Sequence, residues 1–174
     1  MKPLPIIVLF ISTLLVKGCS PSIEGGRIEY NHSLVVNYES YHQETQVTGT
    51  IHFHSSTSGY VDPGYCYQGS GTVSVAISGT ADDCTFNGSG TNSVSLKGYE
   101  VNHQILFTFE EQWYQPCSLT FTCPDGTHTE SLPSDTVSYQ LTFPVEDGYT
   151  IEQPFSGEEG SGSASWTLRF DSLS

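Results

Sequence analysis

Two histidines separated by one residue, in His52-Phe53-His54, form the pattern in this sequence that best suits metal chemistry. The apolar residues around them alternate, so Ile51 and Phe53 share one face of a predicted strand and both imidazoles project from the other. Residues two apart on a strand stand about 6.6 Å apart at their bases, close enough to share one ion. The pair therefore suits Zn or Cu, and an exposed polar surface is the alternative interpretation.

A third metal ligand would come from one of the remaining histidines: His32, His42, His103 and His128. No spacing selects among them as a partner for the His52 and His54 pair. His103 differs from the others because it follows the alternation of Ile105 and Phe107. That phase predicts a histidine in the core or at its rim, held by a hydrogen bond.

Aromatic side chains form a second candidate site, for ligand binding. The residues concerned are Tyr60, Tyr65, Tyr67, Trp113 and Tyr114. The tyrosines flank the turn signal Asp62-Pro-Gly64, and the other two rings precede the segment that contains Cys117. Rigid rings beside polar side chains suit stacking on sugars or peptides at low entropic cost. A glycan or an envelope protein is therefore a predicted partner, and rings that cover the open end of the fold are the alternative.

The cysteines predict disulfides. Setting aside Cys19, which belongs to the N-terminal signal described below, leaves an even set: Cys66, Cys84, Cys117 and Cys123. Such a set in an oxidising compartment predicts disulfide pairs, whereas a zinc thiolate site lacks the usual Cys-x-x-Cys spacing. The segment between Cys117 and Cys123 alternates like a strand and spans about 20 Å, although a disulfide needs Cα atoms within roughly 4.4 to 6.8 Å. Each of these two is therefore expected to bond Cys66 or Cys84.

The sequence lacks the local motifs of known catalytic sites. It contains no Gly-x-Ser-x-Gly, no His-Glu-x-x-His and no calcium loop of EF-hand spacing. Three pairs of adjacent acids could in principle serve a glycosidase: Asp82-Asp83, Glu110-Glu111 and Glu158-Glu159. Adjacent side chains on a strand face opposite sides, and these pairs fall mainly at turns, so we interpret them as solvated surface groups. No catalytic residue is predicted.

A glycine-rich motif occurs twice, as Gly69-Ser-Gly-Thr-Val-Ser-Val and Gly88-Ser-Gly-Thr-Asn-Ser-Val, with a weaker copy at Gly160. A phosphate-binding loop would need a following Lys and a helix N-terminus, and neither follows these glycines. Glycines at strand entries instead allow bulges and bends where a sheet curls over its core. The motif therefore indicates a strongly curved sheet.

Period-two alternation begins at about Tyr30 and predicts about eight to ten strands. The clearest alternating segments are Val47 to Phe53, Val73 to Ile77, Val101 to Phe109, Val137 to Phe143 and Trp166 to Phe170. Turn signals separate them at Ala81-Asp-Asp83, Pro124-Asp-Gly126, Glu146-Asp-Gly148 and Gly157-Glu-Glu-Gly160. No stretch has helical periodicity. Residues 30–174 are therefore predicted to form a single all-β domain, an antiparallel β-sandwich or barrel stapled by disulfides.

The N-terminus predicts secretion. Lys2 precedes the mostly apolar run Ile6–Val16, which at about 1.5 Å per residue is much shorter than the roughly 30 Å hydrocarbon core of a membrane. Such a run is typical of a secretory signal peptide. The residues that follow, Val16-Lys17-Gly18-Cys19, resemble the lipobox of bacterial prolipoproteins, although Lys17 stands where that pattern has a small or uncharged residue.

The lipobox resemblance implies a signal peptide over residues 1–18 and a mature chain whose first residue, Cys19, is acylated with fatty acid such as palmitate. Residues 19–29 contain Pro, Ser and paired Gly without periodicity, which suits a tether between the membrane anchor and the domain. The implied location is the extracytoplasmic side of the bacterial cell envelope. Ordinary cleavage nearby is the alternative to lipid processing.

The charge excludes one class of function. The formal net charge is −14, with only 5 Lys and Arg against 19 Asp and Glu, so the chain cannot neutralise nucleic-acid phosphates. The sequence therefore predicts a lipid-anchored β-domain that acts as a non-catalytic binding or envelope-associated module without a cofactor. The alternative is a Zn or Cu protein, or an enzyme of unrecognised type, that uses His52 and His54.

Overall fold

A computed structural model of the chain describes residues 21–56, 65–112, 118–132, 135–157 and 160–171. These residues form an all-β, antiparallel domain, which confirms the predicted fold class. The strands are β1 (Gly25–Tyr38), β2 (Tyr41–Ser55), β3 (Tyr67–Ala81), β4 (Cys84–Val101), β5 (Gln104–Gln112), β6 (Ser118–Cys123), β7 (Gly126–Ser131), β8 (Thr136–Pro144), β9 (Thr150–Ser156) and β10 (Gly160–Phe170). Among the described residues, no helix is long and apolar enough to cross a membrane.

The strands form one open sheet in the order β7-β6-β4-β3-β2-β1-β10-β9, and β5 pairs with both β4 and β8. The long strand β4 divides one of its edges between two partners. Its first part, residues 85–89, pairs with β6, and its last part, residues 93–101, pairs with β5. The sheet therefore branches at β4, and the branch that carries β5 and β8 can fold over the rest.

The sheet curls around its own apolar face. Alternate residues of the strands turn inward and are fully or almost fully buried: Ile28, Ile51, Val73, Leu96, Phe107, Phe143 and Leu168. The curl brings together strands that do not pair, since the ring of Tyr139 on β8 lies 6.0 Å from the ring of Trp166 on β10. The predicted choice between sandwich and barrel thus resolves into a single open sheet that folds back on itself.

The two glycine-rich motifs pair with each other. They lie within β3 and β4 and run antiparallel, so that Gly69 stands opposite Leu96 and Gly88 stands opposite Ile77. A Cβ atom at Gly69 would lie 2.1 Å from the carbonyl oxygen of His52 on β2. Glycine is therefore required where β3 approaches β2 this closely, consistent with the predicted curvature.

A disulfide joins Cys84 at the start of β4 to Cys123 at the end of β6, with Cα atoms 4.3 Å apart. The neighbouring residues Thr85 and Thr122 are directly paired, so the two cysteines meet across adjacent strands. This confirms that Cys123 bonds a cysteine of another strand. Cys66 is fully buried and disulfide-bonded. Cys117 and Cys19 lie outside the described residues.

Two features differ from the sequence-based predictions. Strand β1 begins at Gly25, so residues 25–29 belong to the sheet although they were predicted as part of a tether. Paired glycines interrupt the apolar alternation in this segment, and the strand was therefore not predicted. His103 was predicted to lie in the core or at its rim, and this prediction is wrong. The residue is exposed in the tight turn between β4 and β5, with φ of 59°, and Val101 is exposed beside it. A two-residue turn preserves the period of two, so the alternation of apolar residues does not reveal where β4 ends and β5 begins.

Candidate functional site

A cavity of about 540 Å³ opens between the two walls of the curled sheet. Residues of β1, β2, β3, β9 and β10 line one wall, and residues of β5 and β8 line the other. This volume lies within the range of small-molecule sites, which are mostly apolar and contain a few polar groups that converge on the ligand. The polar groups of this cavity are therefore the residues that decide its chemistry.

Aromatic rings form the floor of the cavity. Tyr30 stacks on Trp166 across the β1–β10 pairing, with ring centroids 5.4 Å apart, and Tyr139 reaches the same indole from β8. Phe155 on β9 closes one side, with its ring edge-on to His32 at 5.3 Å. Such rings present large, rigid contact areas to a planar or extended apolar molecule.

A buried carboxyl group, that of Glu111, lies near the C-terminal end of β5. Glu111 is only 5% exposed, and one of its oxygens accepts a hydrogen bond of 2.8 Å from the side-chain amide of Asn92 on β4. Asn92 is itself 1% exposed. Burial raises the pKa of Glu111, and the hydrogen bond from Asn92 offsets part of that rise because it favours the ionised form. The wall thus carries a carboxyl group that stays protonated at higher pH than an exposed glutamate.

Two hydrogen-bond donors of the cavity have no hydrogen-bond partner in the described part of the chain: the Tyr139 hydroxyl and the Trp166 indole Nε1–H. Burial raises the pKa of Tyr139 to about 12. The indole N–H of Trp166 is close enough to the Tyr139 hydroxyl to lower the pKa of that hydroxyl and so offset part of the rise. The two groups nevertheless lack the geometry of a hydrogen bond. An unpaired buried polar group costs free energy, so these donors favour a molecule that accepts from them.

The rim of the cavity is polar and uncharged at neutral pH. The hydroxyl of Tyr30 lies 3.4 Å from Nδ1 of His32, and burial lowers the pKa of that imidazole. Gln43, Thr45 and Gln153 complete the polar part of the lining. Glu111 is therefore the one carboxyl group among the described residues that line the cavity.

Comparisons of the chain with protein-family models, with curated proteins and with solved structures find no match.

The predicted histidine pair lies elsewhere, on the outer face of the sheet. His52 and His54 are both exposed on β2, beside a shallow depression that Gln68 and Ser70 also line. The His54 ring lies 3.3 Å from the Gln68 side-chain nitrogen. Among the described residues, no group of three or more His, Cys, Asp or Glu side chains is arranged to hold a metal ion. Zn or Cu binding by this pair stays a prediction.

The predicted aromatic site is described only in part. Tyr60, Trp113 and Tyr114 lie outside the described residues. Tyr65 is half-buried, with its ring 6.4 Å from that of Tyr99 and with the Lys97 ammonium 5.4 Å from its centroid. Tyr67 is fully buried and packs against Phe53, and its hydroxyl donates a 2.6 Å hydrogen bond to Glu100. Tyr67 is thus a core residue.

Glu111 in the cavity and the buried Asn92 that donates to it were not predicted from the sequence. The interpretation of Glu111 as a solvated residue is wrong, because it continues the inward phase of Phe107 and Phe109. Asn92 occupies the repeat position that Val73 fills in the other glycine-rich motif, and the two residues pair directly across β3 and β4. A polar residue in an inward phase was the signal that could have identified both.

Proposed function

We propose that the chain is a non-catalytic binding module of the bacterial cell envelope, which holds a small, mostly apolar molecule in the cavity between β8 and β10. The observation that carries this proposal is the combination of aromatic rings with unpaired, buried donors in a cavity of about 540 Å³. A core that served packing alone would fill this volume and pair or exclude these polar atoms.

The envelope location rests on the N-terminal sequence. The secretory signal and the lipobox resemblance at Val16–Cys19 support cleavage before Cys19 and acylation of that residue. The disulfide between Cys84 and Cys123 is consistent with an oxidising compartment. A lipid anchor would be the contact of the chain with a membrane, and nucleic acid is an unsuitable partner for a chain of formal net charge −14.

A binding role accounts for the cavity better than hydrolysis. Glycosidases of the usual kind need two carboxyl groups that flank the scissile bond. Glu111 instead faces an amide, that of Asn92, and it has no second carboxyl group among the described lining residues. The raised pKa of Glu111 follows from its burial and needs no catalytic purpose.

Binding can be tested with N-phenyl-1-naphthylamine, an uncharged dye whose fluorescence rises in apolar surroundings. We expect a saturable rise with the wild-type protein. Ala164→Leu, which extends a side chain from β10 into the cavity, should abolish the rise. Ser163→Leu is the matched control, because the neighbouring side chain is exposed on the other face of the same strand.

Circular dichroism of each variant verifies that the β-sheet is retained. A wild-type protein that leaves the dye fluorescence unchanged would contradict the proposal. Equal binding by the Ala164→Leu and Ser163→Leu variants would also contradict it, because the dye would then bind outside the cavity.

A further inference from the structure

We infer that the cavity selects an uncharged ligand with a hydrogen-bond-accepting oxygen, such as a ketone, an aldehyde or an ester, which Trp166 and Tyr139 bind together. The inference rests on the proposed binding function and specifies its ligand class. It concerns the junction of β8 and β10, where the two side chains meet without strand pairing.

The two donors are the first argument. The indole Nε1–H of Trp166 can only donate, and its residue is 6% exposed, so water reaches it poorly. The Tyr139 hydroxyl is buried beside it, and neither has a hydrogen-bond partner in the described residues. Both atoms are covered in this structure, so a ligand oxygen reaches them as the covering side chains of the cavity shift on binding. A carbonyl oxygen has two lone pairs and can accept from both donors at once. A hydrocarbon of the same shape would leave both donors buried and unpaired.

The charge of the cavity is the second argument. Glu111 lies on the wall, and the aromatic hydroxyls of Tyr30 and Tyr139 are close enough for its charge to raise the pKa of each, after the larger effect of burial. A ligand carboxylate would find no Lys or Arg to pair with among the described residues that line the cavity, and burial there would disfavour its charge. Anionic ligands such as fatty acids are therefore disfavoured.

The same geometry disfavours cationic ligands. An ammonium group has donors and no acceptor, so it would leave the Trp166 N–H and the Tyr139 O–H unpaired. One Glu111 oxygen already accepts from Asn92, and the raised pKa of this carboxyl group reduces the negative charge that would attract a cation. His32, which faces the cavity from β1, has a lowered pKa and supplies no charge of its own near neutral pH.

The test uses four ligands that share a naphthalene body and compete with N-phenyl-1-naphthylamine near neutral pH. They are 2-acetonaphthone, 2-ethylnaphthalene, 2-naphthoate and 2-(aminomethyl)naphthalene, which differ in bearing a ketone, an ethyl group, a carboxylate and an ammonium group. We expect the ketone to displace the dye at the lowest concentration. Each hydrogen bond should favour it over the ethyl compound by roughly 3- to 10-fold.

One shape-matched variant assigns part of the preference to its donor. Tyr139→Phe removes only the hydroxyl, and it should weaken binding of the ketone by roughly 3- to 10-fold while it changes the affinity for the ethyl compound much less. Trp166→Phe removes the indole N–H together with part of the ring, so it should weaken binding of both compounds, and that of the ketone by roughly a further 3- to 10-fold. The ratio of the two affinities should therefore approach one in the double variant.

The outcomes separate the two proposals. If the dye binds but the ketone competes no better than the ethyl compound, or if the carboxylate or the amine competes best, the inference is wrong and the binding function stands. If the dye does not bind to the folded wild-type protein, both are wrong. The ligand series decides the question on the wild-type protein even if a variant fails to fold.

Discussion

Replacing Glu111 by Gln should stabilise the domain at neutral and alkaline pH. The carboxyl group is buried, and burial raises its pKa, so the unfolded chain ionises it at lower pH than the folded protein does. Gln cannot ionise, and its side-chain oxygen can still accept the hydrogen bond from Asn92. The substitution therefore removes the cost of a buried negative charge while it keeps the local contact.

The folded and unfolded chains differ in the protonation of Glu111 only within one pH window. Between the unfolded pKa, about 4.3, and the higher folded pKa, unfolding releases a proton from Glu111. The free energy of unfolding of the wild-type protein therefore falls as pH rises through this window, by at most about 1.4 kcal/mol per pH unit from this group. Below the window both states are protonated, and above it both are ionised. The advantage of Glu111→Gln should grow across the window and then stay constant.

Urea unfolding at a series of pH values measures this difference. Glu110→Gln is the control, because its side chain is exposed on the opposite face of β5, and it should change the free energy of unfolding by less than about 0.5 kcal/mol at every pH. The reasoning is refuted if the two variants have the same pH dependence. It is also refuted if Glu111→Gln is less stable than the wild-type protein in mildly alkaline solution.

Three further predictions concern the disulfide, the curved sheet and the N-terminus. Replacing Cys84 and Cys123 by Ser opens a loop with a sequence separation of 39, which should lower the free energy of unfolding in urea by about 4 kcal/mol; an unchanged midpoint would contradict this. Gly69→Ala should cost more than about 1 kcal/mol in thermal unfolding, because its Cβ would lie 2.1 Å from a carbonyl oxygen of β2, whereas the exposed Ser70→Ala should cost little. Cys19→Ala should abolish incorporation of labelled palmitate in bacterial cells; a wild-type chain that takes up no label would exclude the lipid anchor.

The strands could be predicted from sequence because one face of this sheet is apolar along most of its length. In β10, Ala164, Trp166 and Leu168 alternate with outward residues, and that pattern is independent of which strands are neighbours. The turn at Asn102 and His103 could not be located in the same way. Both residues adopt positive φ, and a two-residue connection leaves the alternation on either side in phase.

The cavity depends on long-range geometry that alternation does not contain. The phase of β5 places Glu111 inward, yet the amide that meets it comes from β4 through the register of those two strands. Tyr139 and Trp166 meet only because β8 folds over β10, and these strands do not pair. A sequence pattern can therefore identify inward polar residues but cannot say which of them share one cavity.

The indole N–H signal of Trp166 in a proton–nitrogen NMR spectrum tests the central claim most directly. The chain has 2 tryptophans, so a Trp113→Phe variant assigns the signal without ambiguity. Binding of 2-acetonaphthone in the cavity should move this signal downfield as the N–H begins to donate, and 2-ethylnaphthalene should shift it less. A Trp166 signal that stays in place at saturating ketone would contradict both the cavity as the binding site and the donor role of the indole.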